Sequence, residues 1–324
     1  MRKFLTYLIM ILLAMGVQAN AHAGHINIGG VYISTFDDPA PDPYGDFSTL
    51  TVPIKRAGNL IIVEARVDSV IGNFVLDTGA PHLVLNATYF RDMPRIANQE
   101  SGGVNGEVAN SFVSEVQNFA ILDLFYKRLK ADVTDLSAIE NGRNIKVLGL
   151  LGTRLFAKLA ITVDIFNNML YIHKLDSDGN FNQTELPFSK PFMKTGFKLM
   201  NDVIFLKTSI NDNILWMAFD TGAETNLLDY RRSKKIIQNF EVLSASKLTG
   251  VGGSKFEIIY AKLDQLTVGD NLFTKNKVVL TSLDNMGRAY GHSVDGILGY
   301  DFFMRGVFTI NFVKKEFAMY TYKV

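Results

Sequence analysis

Two stretches of this chain repeat one another. Val75-Leu76-Asp77-Thr78-Gly79-Ala80 returns as Ala218-Phe219-Asp220-Thr221-Gly222-Ala223, with the second Asp 143 residues after the first (220 − 77). In each, an apolar strand runs into Asp-Thr-Gly, which sets a carboxylate at the mouth of a tight turn. The Gly is free to take backbone angles that a side chain forbids. One such turn is a common loop. Two of them, each inside a longer repeat, point to similar lobes that bring the two carboxylates face to face across a pseudo-twofold axis.

The repeat extends well beyond the motif. Val147-Leu148-Gly149-Leu150-Leu151-Gly152 matches Asp295-Gly296-Ile297-Leu298-Gly299, 147 residues later (299 − 152). Leu151-Gly152 and Leu298-Gly299 read as strands passing directly behind the Asp-Thr-Gly turns, where a side chain on the Gly would collide with the loop. Ala160-Ile161-Thr162-Val163-Asp164-Ile165 and Gly306-Val307-Phe308-Thr309-Ile310-Asn311 read as closing strands. Each precedes a turn (Asn167-Asn168, Lys314-Lys315) and one more strand. The register therefore survives from Leu60 to Tyr171 and from Val203 to Tyr320 with a net insertion of four residues (147 − 143). Within the first copy, Leu60-Ile61-Ile62-Val63 is a buried strand, Ile71-Gly72-Asn73 a turn, and Phe74-Val75-Leu76 the strand that delivers Asp77. Short helices are expected near Arg154-Ala157 and Asp301-Met304. The fold class that follows is all-β, with two similar β-barrel-like lobes. The expected divisions are 1–23, a lobe over 24–172 in which 24–52 is a loop or pro-segment, a linker over 173–197, and a lobe over 198–324.

Composition narrows the function classes. A chain of 324 residues with 48% hydrophobic and 20% charged residues is globular and long enough for two lobes. Its net charge of +1 gives no reason to expect nucleic acid as a partner. Arg231-Arg232 and Lys234-Lys235 read as a solvated helix face. Arg2 and Lys3 precede an apolar run, Phe4 to Val17, and small residues (Ala19-Asn20-Ala21 or Ala21-His22-Ala23) offer a cleavage site. That run falls short of the roughly 20 residues needed to span a bilayer. The expectation is a cleaved signal peptide, no stable membrane span afterwards, and a periplasmic or secreted monomer. With no Cys, stability comes from packing and not from disulfides. The acidic stretches Asp37-Asp38-Pro39-Ala40-Pro41-Asp42-Pro43 and Asp176-Ser177-Asp178-Gly179-Asn180 lack calcium-ligand spacing and read as loops.

Two glycine-dense segments sit at similar distances after the two Asp residues. Ser101-Gly102-Gly103-Val104-Asn105-Gly106-Glu107 and Thr249-Gly250-Val251-Gly252-Gly253-Ser254 read as tips of a pair of mobile hairpins, candidate flaps over a bound ligand. The flap glycines are Gly102, Gly103, Gly106, Gly250, Gly252 and Gly253. No Lys-Ser/Thr follows either run, so neither is a phosphate loop.

The paired Asp77-Thr78-Gly79-Ala80 and Asp220-Thr221-Gly222-Ala223, each followed downstream by Leu-Leu-Gly or Ile-Leu-Gly, resemble the aspartic proteases of the pepsin and retroviral type. The alanine after Gly is more similar to the retroviral group and its bacterial relatives, so the chain looks like a fused version of what retroviral enzymes assemble from two identical chains. It departs from pepsin-like enzymes in having no Tyr in the first glycine segment. The resemblance implies endopeptidase activity on a peptide or protein held extended, with no cofactor and no metal.

Electrostatics supplies a mechanism for such a pair. Two carboxylates roughly 3 Å apart cannot both ionise without strong repulsion, so they share one proton and titrate as a unit. The ionised partner takes a proton from a water between them; that water attacks the scissile carbonyl, whose oxygen the protonated partner polarises. These roles fall to Asp77 and Asp220 jointly. Thr78 and Thr221 are expected to bond across the axis, and Gly79 and Gly222 to turn backbone N–H groups toward the carboxylates. Ala80 and Ala223 add no hydroxyl donor, so the pH optimum is expected above pepsin's, between weakly acidic and neutral.

Other chemistries fit less well. His22, His25, His82, His173 and His292 show no metal spacing. A Gly-x-Ser-x-Gly elbow is missing and Cys is absent. His82 reads as a partly exposed loop residue and Trp216 as core. The rival class is a catalytically silent peptide-binding or regulatory module on the same fold.

Overall fold

The computed structural model describes residues 25–28, 31–34, 38–98, 111–141, 143–182, 186–188, 190–233, 236, 240–249, 255–283, 286 and 293–322. Strands dominate them. β1 (His25–Ile28) and β2 (Val31–Ser34) pair only with each other. The first lobe follows with β3 (Thr49–Ala57), β4 (Leu60–Val67), β5 (Val70–Leu76), β6 (Val84–Asn86), β7 (Ala97–Asn98), β8 (Phe112–Ile121), β9 (Leu124–Thr134), β10 (Gly149–Leu151), β11 (Ala160–Asp164) and β12 (Met169–His173). The second has β13 (Met193–Met200), β14 (Val203–Ile210), β15 (Asn213–Phe219), β16 (Leu227–Asp229), β17 (Phe240–Thr249), β18 (Lys255–Val268), β19 (Asn271–Thr281), β20 (Gly296–Leu298), β21 (Val307–Asn311) and β22 (Glu316–Tyr320). The helices are single turns, including Thr153–Phe156 and Tyr300–Phe303, where the sequence places them.

The lobes share one topology. In the first, β4 and β5 form a hairpin, β10 runs parallel to β5, and β6 runs parallel to β9. In the second, β14 and β15 form the hairpin, β20 runs parallel to β15, and β16 parallel to β19. The expected turn at Ile71-Gly72-Asn73 is displaced: β4 turns at Asp68-Ser69, and Gly72 lies inside β5 opposite Ala65. Asp68 takes φ 51° and accepts the Asn118 N–H at 2.8 Å, a left-handed role that suits a short polar side chain. Gly72 is needed for a different reason. A Cβ there would lie 2.4 Å from Leu148 Cδ1, so the missing side chain makes room for the chain leading into β10.

Aromatic packing anchors the strand that delivers Asp220. Phe219 lies with ring centroids 4.8 Å from Phe317 and 5.3 Å from Phe308, and also meets Phe302 and Phe303. Such pairs add about 0.5–1.5 kcal/mol each beyond the area they bury. Ahead of β3, the acidic loop is strapped to the first lobe. Asp38 and Asp42 pair with Lys130 and Lys158, and Tyr44 exchanges backbone hydrogen bonds with Phe125 at 3.0 and 2.9 Å.

A six-stranded antiparallel sheet, β3-β12-β11-β21-β22-β13, joins the lobes. Its centre is Thr162 opposite Thr309, with hydroxyls 2.7 Å apart. β3 and β13 each divide their length: residues 49–53 and 193–196 pair in this shared sheet, and residues 54–57 and 197–200 pair within their own lobe. β12 runs through His173, which is wholly buried, with Nε2 2.9 Å from Thr162 Oγ1 and Nδ1 3.0 Å from Thr49 Oγ1. Phe181 stacks on its ring at 4.1 Å.

Burial pushes the His173 pKa down from 6.5 to about 4. The neutral ring donates at one nitrogen and accepts at the other, and a proton would turn the acceptor into a second donor. A histidine depressed on folding contributes stability that is present above its unfolded value and lost as pH falls through its folded one. The protein is therefore expected to lose up to about 3 kcal/mol from this group between pH 6.5 and 4. In thermal melts across that range His173→Gln flattens the slope; an unchanged slope would remove His173 as its source.

Candidate active site

Each Asp is set by the strand that precedes it and the strand that passes behind it. Leu151 pairs with Leu76 and Leu298 with Phe219, and all four are fully buried. Asp77 N donates to Leu151 O and Asp220 N to Leu298 O, both at 3.0 Å. The turns close in the same way, Ala80 N to Asp77 O at 3.2 Å and Ala223 N to Asp220 O at 3.3 Å. Gly152 and Gly299 lie against these turns. A Cβ on Gly152 would sit 2.3 Å from His82 O and 2.6 Å from Ala80 O; one on Gly299, 2.4 Å from Thr225 O and 2.7 Å from Ala223 O. The obstructing atoms are backbone and cannot swing aside. Gly152→Ala is expected to cost about 3 kcal/mol in urea unfolding, at the upper end for an overpacked site. Gly196→Ala, whose Cβ would meet nothing nearer than Lys315 O at 3.8 Å, serves as the unaffected control.

The two turns are bonded to each other across the axis. Thr78 N donates to Thr221 Oγ1 and Thr221 N to Thr78 Oγ1, both at 3.0 Å. Thr78 Oγ1 in turn donates to Phe219 O at 2.8 Å, and Thr221 Oγ1 to Leu76 O at 2.7 Å. Both threonines are buried. Gly79 N donates to Asp77 Oδ1 at 2.9 Å and Gly222 N to Asp220 Oδ1 at 2.8 Å. Each glycine also faces the opposite carboxyl. A Cβ on Gly79 would stand 2.7 Å from Asp220 Cγ, and one on Gly222 2.8 Å from Asp77 Cγ.

The Asp77 and Asp220 carboxyls thus lie beside one another across the axis, each against the glycine of the other's loop, where repulsion between two carboxylates favours a shared proton. Burial, then repulsion from Asp220, raises the Asp77 pKa well above the ordinary carboxyl value of 3.8. Burial raises Asp220 as well, against the hydrogen bond it accepts from Gly222 N. Such a pair titrates as one unit. Both carboxyls keep some solvent access while Thr78, Gly79 and Ala80 beside Asp77 are buried. Ala80 and Ala223 belong to an apolar cluster that also holds Val75, Leu150, Ala218 and Ile297.

Other candidate residues fall elsewhere. The flap glycines Gly102, Gly103, Gly106, Gly250, Gly252 and Gly253 lie outside the described residues, as do His22 and His292. The arms leading to them are described: Ala97 pairs with Val113, and β17 pairs with β18 out to Thr249 and Lys255. His82 is not a partly exposed loop residue. It is 4% exposed, and its Nε2 lies 2.9 Å from Asp132 Oδ2 on β9. Its partner is 50 residues away and arrives through the parallel β6–β9 pairing, so nothing local in the sequence reveals it. Trp216 is partly buried, with Lys198 Nζ 3.9 Å from its ring centre. Arg231 lies along no purely solvated face: it binds the buried Asp229 carboxylate at 2.7 Å. Also missed was Arg143, whose Nη2 meets Glu224 Oε1 at 2.6 Å. The one available sign was an acidic residue immediately after the second Asp-Thr-Gly-Ala. Among the described residues no cluster of three His, Asp or Glu side chains could hold a metal ion, and no helix is long and apolar enough to cross a membrane.

Residues 206–302 match a family model described as aspartyl protease. The matched segment contains Asp220-Thr221-Gly222-Ala223 and Ile297-Leu298-Gly299, so the comparison supports a relationship to aspartic proteases through the second copy of the motif. Among solved structures, the chain is similar to basic 7S globulin from soybean, with 9% identity and a TM-score of 0.47 over 84% of this chain and 94% of that one. No curated protein matches the chain.

Proposed function

We propose that this chain is an aspartic endopeptidase, exported to the periplasm or beyond the cell, that hydrolyses peptide bonds in extended peptide or protein chains as a monomer without cofactor. Asp77 and Asp220 act together, one as base toward a water between them and the other as acid toward the scissile carbonyl. Thr78 and Thr221 fix the spacing of the two loops, and Gly79 and Gly222 permit the carboxyls to approach. The glycine-rich segments that follow β7 and β17 in the sequence act as flaps over the substrate. The observation that carries this reading is the symmetric pair of Asp turns, each of which sets its carboxyl against the glycine of the other, since two such neighbours sharing one proton are an acid and a base at the same place.

The test is cleavage of a proteome-derived peptide mixture by the purified protein, followed across pH. Cleavage is expected with an optimum between weakly acidic and neutral, because Ala80 and Ala223 bring no hydroxyl to stabilise the anion, and a statine-type inhibitor is expected to raise the melting temperature. A protein that cuts nothing and whose melting the inhibitor does not shift would be a silent peptide-binding module on this fold.

A further inference from the structure

The bonds that tie the two Asp loops together are symmetric, with one exception. Thr78 answers Thr221, Gly79 answers Gly222 and Ala80 answers Ala223, but the residue after Ala223 is Glu224 and the residue after Ala80 is Pro81. Glu224 Oε1 receives Arg143 Nη2 from the other lobe at 2.6 Å, with the two side chains only 19% and 8% exposed. A buried ion pair holds a stability advantage over a well-packed apolar pair only when its geometry is excellent, so its location beside the site points to placement as its role.

Both partners are coupled to the carboxyls by short rigid paths. Arg143 lies between the helix Ser137–Glu140 and β10, where its Nη1 donates to Ile139 O. Glu140 Oε1 fixes the base of this segment by accepting Val147 N at 2.7 Å and Tyr89 Oη–H at 2.6 Å. The chain then enters β10, whose Leu150 pairs with Val75 two residues before Asp77. On the other side, Tyr300 N holds Ala223 O at 2.9 Å, Ala223 N holds Asp220 O, and Asn59 Nδ2 from the first lobe donates to Glu224 O at 3.0 Å.

We propose that Arg143 and Glu224 are positioning residues that hold the Asp220 loop in register with the strand supporting Asp77, which rests on the endopeptidase reading above. The planar guanidinium gives the contact a direction that a Lys ammonium lacks. Losing it lets the carboxyls drift, and a displacement of about 1 Å can cost up to about 10²-fold in rate.

Arg143→Met, Glu224→Gln, the double variant and Arg143→Lys separate positioning from mere support. The single variants are expected to lose about 10-fold or more in kcat with KM within about threefold. Their thermal stability should show the dyad titrating nearer to ordinary carboxyls, because separated carboxyls repel less. The double variant removes both charges, so it should recover folding stability without recovering kcat, and Arg143→Lys should fall between. Wild-type kcat with an unmoved pH dependence of melting in the single variants would overturn the proposal, as would full recovery of kcat in the double variant. Should the wild-type protein cleave no peptide, the endopeptidase reading fails by itself. The melting curves then decide: a dyad titration that moves in Arg143→Met supports the positioning role, and one that does not refutes it.

Discussion

Asp77→Asn is expected to lower peptide hydrolysis by at least about 10³-fold while the protein stays folded. An amide can neither take a proton from water nor share one with Asp220, so the acid–base pair is gone although the shape is kept. The stability effect has a definite sign. A carboxyl whose pKa is raised on folding contributes stability that is fully present below its ordinary value of 3.8 and lost as pH rises through its folded value. The wild-type protein carries that loss at neutral pH, and Asp77→Asn does not. Thermal melts should therefore show the variant gaining on the wild type as pH climbs from about 4. Hydrolysis that survives the substitution, or a gap that closes with rising pH, would remove the dyad as the working unit.

Thr78→Val should be strongly destabilising for a change of one hydroxyl to one methyl. The hydroxyl it removes donates to Phe219 O at 2.8 Å and accepts Thr221 N at 3.0 Å, both in the buried centre between the lobes. An unpaired buried backbone group costs about 1–3 kcal/mol, so about 2–6 kcal/mol is expected for the two. This is a large share of the roughly 5–15 kcal/mol that holds a typical domain folded. Thr221→Val should match it, since Thr221 bonds Leu76 O and Thr78 N in the same way. Thr78→Ser keeps both bonds and should stay within about 1 kcal/mol of the wild type. Urea unfolding separates these outcomes, and a Val variant as stable as the Ser variant would show that the cross-axis bonds do not hold the lobes.

The duplication is legible in the chain because it preserves residues at places where the backbone tolerates no alternative. Gly152 and Gly299 stand against backbone oxygens, and Gly79 and Gly222 against carboxyls, so both copies retain them and the repeat stays visible. The same residue type misleads at Gly72, which suggests a turn but serves to admit Leu148, while Asp68 and Ser69 make the turn. His82 reads as partly exposed because its partner Asp132 comes from a strand brought to it only by the fold. His173 carries no local sign of burial, since Thr49 and Thr162, which satisfy its two nitrogens, belong to other strands of the shared sheet. The carboxyl pair was readable from a repeated motif. The side chains around it meet through contacts 50 to 165 residues apart, and those distances leave no pattern in a single sequence.

The division of β3 and β13 between the common sheet and their own lobes has a mechanical consequence. A rigid-body rotation of one lobe against the other would shear both strands at mid-length and break the Thr162–Thr309 contact at the centre of the sheet. The shared sheet therefore resists such a rotation. That resistance keeps the floor beneath the two carboxyls, where β10 backs β5 and β20 backs β15, in one place.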